Sequence, residues 1–164
     1  MKYFKTTLYP IKVQFEDVDA GGGVHNPNYL KYFERARNST LTEGGYPQSE
    51  LLKDGFALVV SECFIKYARP AMMDQDLYVL TRISGASKLA LKIEQVLVSK
   101  KPDGDLETLG DDLTKAEGLL TICKTKMVSA DLKRMRPAKF PEKVATIFGL
   151  PESPEAGRDS VELF

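Results

Sequence analysis

From Ile11 the chain alternates in character: Ile11, Val13 and Phe15 are apolar, while Lys12, Gln14 and Glu16 are polar. That period of two predicts a half-buried strand. Gly21, Gly22 and Gly23 cannot prolong it, and they open backbone angles denied to other residues. Beyond them Tyr29, Leu30, Tyr32, Phe33, Ala36, Thr40 and Leu41 recur at helical spacing and form one broad apolar face. Asn26 suits the N-cap and Pro27 the first helical position, while Gly44, Gly45 and Pro47 stop the run. The spacing predicts a helix of about four turns, the one long helix of the chain.

The remainder reads mostly as strand. "GFALVVSECFIKYARP" is β-rich and halted by Pro70. "DLYVLTRISG" and "LALKIEQVLVSK" are joined around "GASK", a turn short enough for an antiparallel hairpin. Residues 101–115 are polar and rich in Gly and Asp, without a hydrophobic period, and read as a loop. "AEGLLTICKTKMVSAD" returns to alternation, and a short helical piece is expected after "RMRPAKFPEKV". An antiparallel sheet of about five strands must cover its apolar face, and one central helix can do so, giving an α+β domain. The domain is placed at 1–148, with 149–164 as a flexible tail of low apolar content.

Composition narrows the function classes. The 164 residues suit one core, and a formal net charge of +0 gives no electrostatic reason to expect nucleic acid. Lys, Thr and Pro interrupt the N-terminal stretch, so it lacks a signal-peptide apolar run, and no window approaches a membrane span. One His and two scattered Cys do not make a zinc site. Cys63 and Cys123 lie in predicted strands without CxxC spacing and read as buried, reduced thiols. The bounds describe a cytoplasmic single-domain protein. No Walker-type loop or GxGxxG fingerprint is present.

The chemistry candidates gather where the first strand hands over to the helix. Asp17 and Asp19 share the parity of Ile11, Val13 and Phe15, so a persisting strand would point both carboxylates toward the helix. An acid that loses hydration there becomes a better base or nucleophile, and parity does not choose between the two. The first amides of the helix lack intrahelical partners and sit at the positive end of its dipole, where they favour an oxyanion. An acid just before such amides is an acyl-transfer arrangement. The alternative is a plain strand–helix junction in which the acids cap turns.

The stretch "FEDVDAGGGVHNPNYLKYFERAR" resembles the hotdog-fold acyl-CoA thioesterases of the 4-hydroxybenzoyl-CoA thioesterase type, including the Tol–Pal-associated bacterial members. Tyr67, Pro70 and Asp74 in "FIKYARPAMMDQDLYV" and Arg136-Pro137 in "MVSADLKRMRP" extend the resemblance from about Tyr9 to Pro141. It implies a long central helix wrapped by an antiparallel sheet. It implies that Asp19 is the catalytic nucleophile or general base, that the amide at Asn26 polarises the thioester carbonyl, and that Gly22 makes room for the acyl group. It also implies pairing of sheets into a homodimer, or a homotetramer of such dimers, with sites at the interface, and it calls for no cofactor. This chain departs from the pattern at one point, with Asn26 where many relatives carry His, and its single histidine one position earlier at His25.

The other candidates are weighed against ordinary structural roles. His25 is a candidate general base or substrate contact, with a plain surface or interface side chain as the alternative, and nothing in the sequence orients it for proton transfer. Asp17 braces the turn or raises the charge density beside Asp19. Glu34 and Tyr29 are candidate substrate contacts, with a solvent-facing role and a core role as their respective alternatives. Lys133, Arg134 and Arg136 form a basic cluster that could meet the phosphates of coenzyme A or simply be a solvated turn. The expectation is hydrolysis of an acyl-CoA thioester. An acyl-carrier-protein thioesterase, a hotdog dehydratase or a non-catalytic acyl-binding module are the rivals.

Overall fold

The computed structural model describes residues 5–110 and 112–150. Strand β1 (Thr7–Lys12) leads through a 3-10 turn (Phe15–Asp17) to helix α1 (Asn26–Glu43) and the short α2 (Gln48–Lys53). Strands β2 (Phe56–Tyr67), β3 (Asp76–Ala86), β4 (Ala90–Val98) and β5 (Leu119–Asp131) follow, then the two-residue β6 (Arg136–Pro137) and α3 (Glu142–Ile147). All pairs are antiparallel, in the order β1-β3-β4-β5-β2, with β6 on β5. The expected α+β architecture is present, a curled antiparallel sheet around one long helix.

The buried stripe of α1 explains why the sheet curls around it. Tyr29, Tyr32, Phe33 and Ala36 pack with Val13, just past β1, and with Leu77, Val79, Leu97 and Cys123 from the sheet. Burying a ring such as Phe33 completely is worth roughly 1.5–3 kcal/mol. Toward the far end Leu41, Leu51 and Met127 form a second cluster that α3 closes with Val144. Gln95, itself fully buried, joins the layers: its amide donates to the Phe33 carbonyl and the Thr81 hydroxyl, and its oxygen accepts from Arg37 at 2.8 Å.

Several local expectations are corrected. The strand ends at Lys12 and not beyond Phe15, because the Asp17 carboxylate accepts the Gln14 N–H at 2.9 Å and folds the chain into the 3-10 turn. Phe15 is consequently 83% exposed, and the common parity of Asp17 and Asp19 does not survive. His25, not Asn26, is the N-cap, so the helix starts one residue early and runs 18 residues. Leu30 falls off the buried face onto the flank of α1. Cys63 is exposed rather than buried, its sulfur 3.7 Å from that of buried Cys123. The loop at 101–115 is less featureless than its composition: Leu106, Leu109 and Leu113 cover Leu80 and Val96 on the outer face of the sheet. The tail expected at 149–164 lies outside the described residues apart from Gly149 and Leu150.

Candidate active site

Residues 17–25 form a small irregular hairpin that delivers the chain into α1. Val18 bridges Val24, the Asp19 N–H donates to the Gly23 carbonyl at 2.9 Å, and the Gly22 N–H donates to the Asp19 carbonyl at 3.0 Å. Gly22 takes a φ of +78°, which side-chain-bearing residues adopt only at a cost. The hairpin is held from outside by residues 70–73. The Val24 N–H donates to the Ala71 carbonyl, the Met73 N–H donates to the Gly22 carbonyl, and Gly23 bridges Met72.

The two acids are divided in role by this geometry. Asp17 is buried, and its main-chain carbonyl accepts both the His25 N–H (2.8 Å) and the Asn28 side-chain amide (2.9 Å). Its charge and above all burial push the phenol of neighbouring Tyr32 upward, although the Tyr32 hydroxyl makes no hydrogen bond of good geometry. Asp17 is therefore the brace. Asp19 stands exposed at the hairpin tip, its Oδ1 accepting the Gly21 N–H at 2.8 Å and its other oxygen without a partner among the described residues.

Across the hairpin lies the start of α1. The Asn28 N–H folds back onto the His25 carbonyl, and Pro27 has no N–H to offer. Asn26 is exposed, and its N–H has no acceptor among the described residues. One donor is thus left without a partner there, at the positive end of an 18-residue helix. The Tyr67 hydroxyl donates to the Asn26 carbonyl at 3.3 Å and its ring stands edge-on to Tyr29, 5.1 Å between centroids. In the sequence Tyr67 stands out only as part of the family pattern. Neither Asn28 nor the Tyr67 contact could be found without tertiary pairing. An exposed carboxylate, an unpaired amide and a hairpin of small residues between them can activate a nucleophile and polarise a carbonyl.

The remaining candidates scatter. His25 is exposed and its ring makes no cap hydrogen bond. Tyr29 is buried, its hydroxyl accepting the Ala71 N–H at 3.0 Å, so it belongs to the frame rather than to a ligand surface. Glu34 is exposed on α1 beside a groove of about 250 Å³ lined by Leu30, Arg37, Val60, Cys63 and Met127 among others. The basic cluster at Lys133, Arg134 and Arg136 is not at the site. It sits beyond Asp131, which pairs with Phe56 at the start of β2, whereas Asn26 adjoins Tyr67 at the end of β2.

This fold and site define a thioesterase-type hotdog domain. A family model described as the thioesterase-like superfamily matches residues 13–148, and the chain belongs to that family. It is 33% identical over 141 residues to the acyl-CoA thioesterase YbgC of Haemophilus influenzae, covering 85% of this chain and 92% of that one. It is 31% identical to the acyl-CoA thioester hydrolase YbgC of Escherichia coli O6:H1, covering 87% and 97%. Among solved structures, the 1,4-dihydroxy-2-naphthoyl-CoA thioesterase Slr0204 of Synechocystis superposes with a TM-score of 0.73 at 22% identity, over 87% of this chain and 95% of that one.

Proposed function

We propose that the chain is a thioester hydrolase acting on acyl-CoA, with Asp19 as the catalytic carboxylate and the Asn26 N–H as the donor that polarises the thioester carbonyl. The observation that supports the reading is a glycine hairpin with an exposed Asp19 carboxylate at its tip, leading into the helix start where the Asn26 amide has no acceptor among the described residues. The acyl-CoA hydrolases among the relatives supply the substrate class. Asp19 either attacks the carbonyl carbon itself, forming a mixed anhydride that water hydrolyses once the thiolate has left, or takes a proton from a water that attacks. The C–S bond then breaks, and the sulfur leaves as a thiolate whose conjugate acid has a pKa of about 8.5, so strong acid assistance is unnecessary. Gly21 and Gly22 keep the approach to that carbon open. His25 stands beside the site without a proton-transfer role. Asp17 and Tyr29 hold the frame.

The protein works as a homodimer in this reading, because among the described residues β2 is a long edge strand carrying exposed Val59 and Val60. It is placed in the cytoplasm, where thiols such as Cys63 and Cys123 stay reduced. The test is thiol release from a panel of acyl-CoAs by wild type, Asp19→Asn and His25→Ala. Asp19→Asn is expected to lower kcat by about 10²-fold or more while His25→Ala stays within a few-fold of wild type. Undiminished turnover by Asp19→Asn removes Asp19 from the chemistry, and a collapse in folded His25→Ala restores the histidine to it. Hydrolysis of acyl-carrier-protein thioesters in preference to acyl-CoA would transfer the same chemistry to the other carrier.

A further inference from the structure

We propose that Cys63 and Cys123 form an oxidant-responsive dithiol: exposed Cys63 reacts first with a hydroperoxide, and buried Cys123 closes on it as a disulfide that tethers β2 to β5. This site lies apart from the Asp19–Asn26 chemistry and does not rest on it.

The two sulfurs already stand 3.7 Å apart. In the register of β2 and β5, Cys63 faces Thr125 and Cys123 faces Ile65, so the cysteines are diagonal neighbours. Diagonal Cα atoms lie roughly 7 Å apart, the upper limit of what a disulfide bridges. The bond itself is about 2.05 Å long, so the sulfurs must approach by about 1.7 Å. Strand β2 is the one free to supply that movement. It is an edge of the sheet, and its register slips between Val60 and Glu62, just before Cys63. Strand β5 is held on both sides, by β4 and by β2.

The two thiols are unequal in the way an attacking and a resolving sulfur must be. Cys63 is exposed and lines the groove of about 250 Å³ beside α1, where a small oxidant reaches it. Its side chain stands off the face of the sheet, whereas the open edge of β2 presents main-chain groups in the plane of the sheet. Cys123 is buried in the core under α1, and burial foremost pushes its thiol up to about 12. It therefore keeps its proton until a reactive sulfur is presented at contact distance. Arg37 lines the same groove, and its charge favours the Cys123 thiolate as that proton leaves.

In the first step the Cys63 thiolate attacks one oxygen of the hydroperoxide. The O–O bond breaks, sulfur keeps that oxygen as a sulfenic acid, and the other oxygen leaves with a proton as water or an alcohol. The Cys123 sulfur then attacks the Cys63 sulfur. The S–O bond breaks, and the oxygen departs with the Cys123 proton as water. Two thiols give up two electrons and one peroxide takes them. A small thiol reverses the bond by attack on the outer sulfur.

Closure reaches the start of α1 through β2. Cys63, Ile65 and Tyr67 alternate along the face turned toward α1, and the Tyr67 hydroxyl donates to the Asn26 carbonyl at 3.3 Å. Drawing Cys63 toward β5 shifts the strand that sets Tyr67 against the first residue of the helix.

The experiment treats the purified full-length protein with hydrogen peroxide and reads intact mass, peptide map and hydrogen exchange. Oxidised wild type should lose two hydrogens per chain and yield one peptide pair joined through Cys63 and Cys123. It should run as a single chain without reductant, and dithiothreitol should restore the starting mass. Cys123→Ala should instead accumulate a sulfenic acid at Cys63 that dimedone traps, while Cys63→Ser forms neither product. Retention of both thiols, a disulfide joining two copies through Cys63, or a sulfenic acid at Cys123 in Cys63→Ser overturns the proposal. Should Cys123→Ala not fold, the wild-type peptide map and Cys63→Ser decide without it. Hydrogen exchange in the first turn of α1 should quicken about threefold or more on oxidation of wild type and stay unchanged in Cys63→Ser. Unchanged exchange in the oxidised wild type overturns the link through Tyr67, whether or not the chain hydrolyses acyl-CoA.

Discussion

The side-chain amide of Asn28 donates to the main-chain carbonyl of Asp17 at 2.9 Å, tying the first turn of α1 to the strand side of the hairpin that carries Asp19. Both residues are buried, so this one bond fixes how the hairpin meets the helix. The Asn28→Ala variant leaves the Asp17 carbonyl with only the His25 N–H and removes a buried polar contact. It is expected to cost about 1–3 kcal/mol in denaturant unfolding and to lower kcat more than it raises KM. An unchanged kcat would show that Asp19 is positioned without it.

Gly22 tests the hairpin from the other side. Its φ of +78° is disfavoured for any residue with a Cβ, although a Cβ there would meet the Met72 methyl at 3.8 Å, an ordinary van der Waals contact without a clash. Gly22→Ala should therefore destabilise by about 1–2 kcal/mol through backbone strain alone. A calorimetric Tm that falls by several degrees checks it; an unshifted Tm would mean the turn relaxes to another form.

The Gln95 hub predicts a larger loss. Gln95→Leu keeps the volume but strips the Phe33 carbonyl and Thr81 hydroxyl of a donor and Arg37 of its acceptor. The expected cost is about 3 kcal/mol, since a hydrogen bond to a charged group is lost in a buried setting. Urea unfolding midpoints of Gln95→Leu and Gln95→Glu separate the two effects, the carboxylate restoring an acceptor for Arg37.

Stability should also fall at alkaline pH. The Tyr46 hydroxyl donates to the Asp54 carboxylate, and that bond, with burial, pushes the phenol up to about 12. Burial foremost pushes the Cys123 thiol up to about 12 as well. Both groups hold their protons more tightly folded than unfolded, where the ordinary values are about 10 and 8.5. Their contribution is complete below those values and is lost as pH rises toward 12. Tm should stay level to about pH 8.5 and then decline, and Tyr46→Phe should flatten the upper part of the decline.

The sequence by itself determined the long helix, the four main strands and the acid–glycine–helix junction, because periodicity and punctuation are local properties of the chain. It placed Asp19 before the helix start and marked Pro27 as a residue without a donor. The tertiary structure decided which acid is brace and which is exposed, because a side-chain contact from Asp17 to the Gln14 amide ended the strand before parity could extend. It decided that Tyr67, 41 residues away, touches the first residue of α1, and that the basic turn lies at the opposite end of β2. Strand pairing sets those separations, and a linear pattern carries no record of which end of one strand meets which end of another.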